Sequence, residues 1–241
     1  MKLIIDIGNT LQKAAIFDRE SLIAVSSFNI ITISDLEKIF SDNQIEATIL
    51  SSVANYDEDI KTFLKCNSKF LELDHNTPVP IINKYGTPQK LGKDRLASAT
   101  ASQIFFKGKN VLVIDIGTAI KYDFVNKIGE YLGGSISPGI NLRFKALHNY
   151  TAKLPLVTYQ KSVVLTGQNT KDSLLSGVIN GAAFEIDGFI DNYRSKYEGL
   201  EIILSGGDHN YFEKRLKNTI FVVPNIVLLG LNKILDYNAT T

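Results

Sequence analysis

The sequence predicts an α/β fold built from two related halves, and three observations carry that expectation. Short β-rich apolar runs alternate with helical segments along the chain. One run occurs twice, as Leu3-Ile4-Ile5-Asp6-Ile7-Gly8-Asn9-Thr10 and, 109 positions later, as Leu112-Val113-Ile114-Asp115-Ile116-Gly117-Thr118-Ala119. The length, 241 residues, fits either one large domain or two of ordinary size, and the repeat favours two. We place the boundary in the turn Lys107-Gly108-Lys109-Asn110, which gives domains 1–108 and 109–241.

Each copy reads as a strand covered on both faces that runs into an aspartate and then a glycine turn. A strand follows each turn, over Gln12–Phe17 and Lys121–Val125. Glycine lets the chain double back with its N–H groups exposed, and Asn9, Thr10 and Thr118 add short polar side chains. Such a turn suits phosphate. The carboxylate beside it repels phosphate, so its task is either to hold a cation, with magnesium kept through water, or, in the simpler reading, only to close a hairpin.

The remaining elements follow in order. A strand over Leu22–Asn29 precedes a helix over Ser34–Ser41, with Ser34 as N-cap and Glu37 completing a capping box. Strand Ala47–Val53, helix Asp57–Cys66 and strand Lys69–Leu73 come next. The segment His75–Gly92, with Pro78, Pro80, Gly86 and Pro88, reads as a long loop, a length that points to a substrate wall. Asp94–Phe106 has helical composition. In the second half, Leu132–Gly139 reads as a glycine-rich loop and Ile140–Tyr150 as a helix. The clearest helix spans Lys171–Tyr197, with Thr170 as its N-cap and Gly177 and Gly181 placed for close packing. A strand, Glu201–Ser205, leads into Gly206-Gly207-Asp208, which suits either the approach of a flat ligand or an ordinary turn. An apolar helix over Ile226–Leu235 ends the pattern.

Composition narrows the function classes. With 44% hydrophobic and 21% charged residues a core can form, which argues against disorder. The net charge is +1 and no basic run stands out, so no nucleic-acid footprint is expected. The single cysteine, Cys66, rules out an intrachain disulfide framework and a cysteine-rich zinc site and fits a reducing compartment. Asp6 interrupts the first apolar run far short of a signal peptide, and no run is long enough to span a bilayer, so a cytoplasmic protein without membrane association is expected. His75, His148 and His209 are too scattered for a structural metal. The G-x-x-x-x-G-K-[ST] phosphate loop is absent, so any ATP binding rests on the Asp-x-Gly turns.

Leu91-Gly92-Lys93-Asp94-Arg95 places a carboxylate and a guanidinium at the start of a helix. Locally this reads either as a helix-end acid with a solvated arginine or as a proton acceptor with an anion clamp.

In sequence these motifs resemble the type III pantothenate kinase family of the actin, sugar-kinase and heat-shock ATPase superfamily. Asp6-Ile7-Gly8-Asn9-Thr10 is similar to its first phosphate loop, Gly92-Lys93-Asp94-Arg95 to its G-x-D-R motif, and Asp115-Ile116-Gly117-Thr118-Ala119 to its second phosphate loop. Gly133-Gly134-Ser135-Ile136-Ser137-Pro138-Gly139 resembles its proline-glycine loop, Thr170-Lys171-Asp172-Ser173 its threonine-headed helix, and Ser205-Gly206-Gly207 its late glycine pair. The series runs in order across nearly the whole chain.

The resemblance implies two tandem ribonuclease H-like (actin-like ATPase) domains, with mixed sheets flanked by helices. It implies transfer of the γ-phosphoryl group of ATP to the primary hydroxyl of pantothenate, giving 4′-phosphopantothenate, the first step of coenzyme A synthesis. Asp94 is then the base and Arg95 holds substrate or developing charge. Asp6, Ile7, Gly8, Asn9, Thr10, Leu11, Gln12 and Lys13, with Thr118, bind ATP, and Asp6 organises magnesium through water. A solvated strand lysine is an equal reading for Lys13. Tyr85, Gly92, Lys93, Asp94, Arg95 and Thr170 bind pantothenate, and Asp115 holds a monovalent cation, potassium or ammonium. A homodimer with the active site at the subunit interface is implied as well. The chain departs from the family where Ile120-Lys121 stands in place of small hydroxyl residues. The alternative is a regulatory ATP-binding protein on the same fold, such as a transcription accessory factor. Asp94 with Arg95 discriminates, because a pure binder has no use for a proton acceptor.

Overall fold

A computed structural model of the chain describes residues 1–160 and 162–239. It divides into two compact units, one comprising Met1–Lys107, Gly129–Leu132 and the chain from Asn225 onward, the other Gly108–Ile128 and Gly133–Pro224.

In the first unit, β1 (Lys2–Ile7), β2 (Gln12–Asp18) and β3 (Ser21–Phe28) form an antiparallel meander. β4 (Ala47–Ser52) and β5 (Lys69–Glu72) extend the sheet in parallel on the other side of β1, giving the order β3-β2-β1-β4-β5. Successive residues of β1 point to opposite faces. Leu3, Ile5 and Ile7 pack with Leu36 of helix α1 (Ile33–Asp42) and with Ile60 and Leu64 of α2 (Glu58–Asn67). Ile4 packs on the other face with Ala97 of α3 (Lys93–Phe105) and with Leu228, Leu231, Ile234 and Leu235 of the C-terminal helix. The long loop carries β6 (Ile82–Asn83) and a 3₁₀ turn, Pro88–Lys90.

In the second unit, β7 (Val111–Ile116) pairs antiparallel with β8 (Ala119–Val125). β9 (Glu130–Pro138) lies beyond β8, and its first residues, in the first unit, pair in parallel with β6. β10 (Glu201–Ser205) and β11 (Phe221–Val222) continue in parallel from β7. The order β9-β8-β7-β10-β11 repeats that of the first sheet, so the duplication extends from the acidic turn to a five-strand pattern. Leu112, Ile114 and Ile116 pack with Phe144 of α4 (Ile140–Asn149) and with a long helical stretch. That stretch comprises α5 (Thr170–Leu175), a π turn over Ser176–Asn180 and α6 (Gly181–Lys196).

Several expectations are corrected. The first change of unit falls between Lys107 and Gly108, and the C-terminal helix α7 (Ile226–Ala239) belongs with the first unit because its apolar side packs on α3 and β1. Residues 132–138 are strand rather than loop, Gly139 caps α4, and Gly134 serves a close approach to the neighbouring strand. A Cβ on Gly134 would lie 1.6 Å from the carbonyl oxygen of Tyr122. Helix α1 is capped by Thr32 with Asp35 rather than by Ser34 with Glu37. The cap of α5 is Asn169, whose Oδ1 accepts from Asp172 N at 2.9 Å, and Thr170 is the first helical residue.

Gly177 and Gly181 face no neighbour, since a Cβ at either would meet nothing within 4 Å. Gly181→Ala should therefore stabilise the chain by about 0.4–1 kcal/mol, by restricting the unfolded state at a helix-compatible position. A thermal melt checks this, and a lowered midpoint would restore the packing reading.

Candidate active site

The first acidic turn is held at its base and open at its tip. Gly8 N donates to Leu11 O at 3.2 Å, while Asn9, Thr10 and Leu11 are exposed. Ile7 is fully buried, so only its backbone is at the turn, and its carbonyl oxygen accepts from Val53 N at 3.0 Å. Gln12 turns inward, where its Oε1 accepts from Ile31 N at 2.7 Å. Strand register sets Asp6 opposite Lys13 on β2 and opposite Ser51 on β4. Since Asp6 and Ile4 share a face, this trio lies on the side of the sheet covered by α3 and α7. Lys13 Nζ donates to Asn225 Oδ1 at 3.1 Å, just before α7. Asp6 Oδ1 is buried, and the buried hydroxyl of Ser51 has no hydrogen-bond partner among the described residues.

On that same side stands the start of α3. Gly92 is its N-cap, and Asp94 lies in the first turn with its Oδ1 accepting from Arg95 N at 2.9 Å. A Cβ on Gly92 would sit 2.6 Å from that same Oδ1. Glycine is thus what leaves room for the carboxylate to fold back over the helix end. Lys93 is half-buried and Arg95 buried. The Arg95 guanidinium carbon lies 5.6 Å from the centre of the Tyr85 ring, a cation–π arrangement. Tyr85 also stacks on Tyr131, with centroids 6.1 Å apart, and its N–H donates to Asn83 Oδ1 at 3.0 Å. The pairing of Asn83 with Tyr131 between β6 and β9 fixes the long loop at this point. The structure thereby brings together Tyr85, Gly92, Lys93, Asp94 and Arg95. Tyr131 was not singled out from the sequence, because a lone tyrosine before a glycine pair gives no sign of what it stacks on.

The second acidic turn differs. Asp115 pairs in register with Lys121 on one side and Ser205 on the other, a copy of the Lys13, Asp6 and Ser51 arrangement. Lys121 Nζ lies 2.6 Å from Asp115 Oδ2. Thr118 is exposed, and its carbonyl oxygen accepts from Gly139 N at 3.1 Å, which seats the proline-glycine segment against the turn. Gly206 has φ +94° and lies so close to Ile116 that a Cβ would meet its carbonyl oxygen at 2.2 Å. Its glycine identity is therefore explained by packing, whereas Gly207 faces open space. Asp208 N donates to Ile116 O at 3.0 Å, and burial pushes the Asp208 carboxyl above its ordinary value. Thr170 is exposed at the start of α5, in the second unit.

The proline-glycine segment is braced from α6. Glu185 Oε2 accepts from Arg143 Nη2 at 2.6 Å, and its Oε1 accepts from Tyr122 Oη at 2.9 Å and from Ser137 Oγ. Arg143 Nε donates to Pro138 O at 2.7 Å. Burial pushes the Glu185 carboxyl up, but the hydrogen bonds from Arg143, Ser137 and Tyr122 outweigh it and hold it below its ordinary 4.5. A carboxyl lowered in the folded state stabilises the fold above its ordinary value, and that contribution is lost as pH falls from there through the lowered value. Thermal midpoints should therefore drop more steeply between about pH 5 and pH 3 for wild type than for Glu185→Gln. Equal slopes would remove Glu185 from the linkage.

Among the described residues no three His, Cys, Asp or Glu side chains gather as a metal cage, and no helix is long and apolar enough to cross a membrane. Magnesium that arrives with nucleotide needs no such cage, because one or two carboxylates and the phosphates suffice.

The model of the type III pantothenate kinase family matches residues 2–192. A type III pantothenate kinase from Christiangramia forsetii is 44% identical over 249 residues, covering 100% of both chains. Among solved structures, a Campylobacter jejuni chain described as a Baf family transcriptional activator aligns with a TM-score of 0.62 at 23% identity, covering 99% of this chain and 100% of that one. A Listeria monocytogenes chain described as an N-acetylmannosamine kinase aligns with a TM-score of 0.55 at 14% identity, covering 99% of each. At such identities these two likenesses bear on the fold alone, which is that of the actin-like ATPases and sugar kinases. The family match over most of the chain and the full-length relative decide the matter: the chain belongs to the type III pantothenate kinase family.

Proposed function

We propose that Asp94 serves this pantothenate kinase as proton acceptor while the primary hydroxyl of pantothenate attacks the γ-phosphorus of ATP. The new bond joins the pantothenate oxygen to phosphorus, the bond to the β,γ-bridging oxygen breaks, and ADP leaves. The hydroxyl proton passes to the Asp94 carboxylate. Phosphoryl transfer depends on alignment and charge neutralisation more than on covalent help, so one placed base and cationic groups suffice. The observation that carries the reading is the meeting of the long loop with the helix start, where Tyr85 lies over Arg95 beside Asp94. A flat aromatic surface and a guanidinium held next to a carboxylate suit a small polar substrate that must present its hydroxyl in one orientation.

In this reading Tyr85, Gly92, Lys93 and Arg95 hold pantothenate, with Thr170 at a helix start available to an anionic group. The exposed tip Asn9-Thr10-Leu11, with Gly8, Lys13 and Thr118, contacts ATP, and Ile7 and Gln12 shape the turn from within. Magnesium supplies charge neutralisation on the phosphates when ATP is bound. Asp6, an oxygen donor at the strand end beside the turn, is the residue that would hold it through water. The reading includes a cytoplasmic location and a homodimer. Phe184, 64% exposed on α6, is an apolar side chain that a second copy would cover.

The test is direct. Purified protein incubated with ATP, magnesium, potassium and pantothenate should yield 4′-phosphopantothenate and ADP, identified by mass. Folded protein that makes neither overturns the proposal.

A further inference from the structure

The second acidic hairpin carries a cation of its own. Antiparallel pairing sets Lys121 of β8 directly opposite Asp115 of β7, and opposite residues share a face of the sheet at close range. The lysine ammonium lies 2.6 Å from Asp115 Oδ2, and the two side chains are only 19% and 10% exposed. A carboxylate so enclosed requires a positive charge beside it, since a buried ion without a counter-ion is strongly destabilising.

The turn fixes this pair in place. Gly117 N donates to Ala119 O, Ile116 O accepts from Asp208 N, and Thr118 O accepts from Gly139 N, at 3.0, 3.0 and 3.1 Å. The carbonyl groups on either side of Gly117 are thus each engaged by a backbone donor. A monovalent metal ion gives up its water only for a shell of oxygen ligands. At Asp115 it would meet a carboxylate whose Oδ2 already carries an ammonium, beside Ile116 and Thr118 carbonyls that each already accept a backbone N–H. A second cation at this carboxylate would face the Lys121 ammonium at close range, so the residues present do not fit the potassium or ammonium ion that the family resemblance implies here.

We infer that the Lys121 ammonium takes the place of the monovalent cation at this hairpin, so that the chain works independently of potassium and ammonium. The ammonium supplies the same single charge from a side chain, and being tethered it does not depend on the concentration of a free ion. Its compact charge with three N–H donors makes it a closer substitute than a guanidinium would be. The activity part of the inference rests on the proposed kinase reaction, and the binding part does not.

Two measurements test it on the full-length protein. In buffer made with tetramethylammonium salts and magnesium, wild type should phosphorylate pantothenate within about two-fold of its rate in potassium chloride of equal ionic strength. Lys121→Ser removes the charge and leaves room and an oxygen, so it should fall by at least about ten-fold without potassium and recover when potassium or ammonium is added. Potassium activation of wild type by about ten-fold or more would overturn the inference, as would a Lys121→Ser protein equally active in both salts.

The second measurement needs no turnover. An ion that binds only the folded state raises the thermal midpoint, so exchanging tetramethylammonium for potassium should leave the wild-type midpoint unmoved and raise that of Lys121→Ser. A potassium-specific rise in wild type overturns the inference whether or not product forms. Absence of product in every salt, with the wild-type midpoint unmoved, counts against the kinase reading and supports this one.

Discussion

Asp94→Asn should lower kcat for pantothenate phosphorylation by about 10²- to 10⁴-fold, the range that general-base catalysis contributes. The substitution is nearly isosteric. The asparagine carbonyl keeps the acceptor that Arg95 N uses at 2.9 Å, so the first turn of α3 retains its local bond. Gly92 provides the same room for either side chain. What disappears is the capacity to take the hydroxyl proton as the pantothenate oxygen bonds to phosphorus. Nucleotide affinity should change little, because the exposed tip proposed to contact ATP lies on the β1–β2 turn. The informative result is therefore a split: kcat lost, ATP affinity by calorimetry retained, and KM for pantothenate altered far less than kcat. Unchanged kcat in a folded variant would remove Asp94 from its role.

Gly230→Ala should destabilise the first unit by about 3 kcal/mol, at the upper end of what overpacking costs. A Cβ at this position would lie 1.9 Å from Ala97 O, 2.5 Å from Ala97 C and 3.1 Å from Ala97 Cα. All three are backbone atoms of α3, so no rotamer change relieves the clash, and α3 and α7 must move apart. That opens a core of Ala97, Leu228, Leu231, Ile234 and Leu235. The thermal midpoint should fall by roughly 6–12 °C if the chain unfolds in one step. Activity should fall as well, because Asp94 and Arg95 lie in the first turn of α3 and a shift of about 1 Å in reacting groups is costly. A Gly230→Ala protein as stable and as active as wild type would show that the helices separate freely here.

The strand-to-turn copies, the order of the longer elements apart from β9 and the G-x-D-R segment were legible in the sequence because each is local. A β run ends at a glycine and a helix begins after a loop, whatever lies across the sheet. What escaped is non-local. Ser51 and Ser205 stand beside Asp6 and Asp115 only because parallel strands align them, and parallel register is set by connections dozens of residues long. Tyr131 is placed behind Tyr85 by a two-residue strand, too short to leave a pattern. The segment 132–139 misled because its glycines suggested a loop, whereas Gly134 answers to the close approach of the neighbouring strand at the carbonyl of Tyr122. The cap of α5 lay one residue earlier than expected because Asn and Thr both cap well and only geometry chooses between them. Lys121 was visible as a departure from the family, but its meaning came from finding its ammonium on Asp115.

The π turn over Ser176–Asn180 acts as a phase correction. Leu174, Val178, Ala182, Ile186 and Ile190 recur every fourth residue, and all five are buried. In a regular α-helix each step of four residues overshoots a full turn by about 40°, so four steps would carry Ile190 some 160° around the axis from Leu174. One surplus residue taken up in a wider turn subtracts about 100°. The remainder, about 60°, fits within a single apolar stripe. A four-residue beat held over five positions is thus a sequence signature for an under-wound turn, and deleting one residue inside it would restore a regular helix with Ile190 still about 60° around the axis from Leu174 and facing the core.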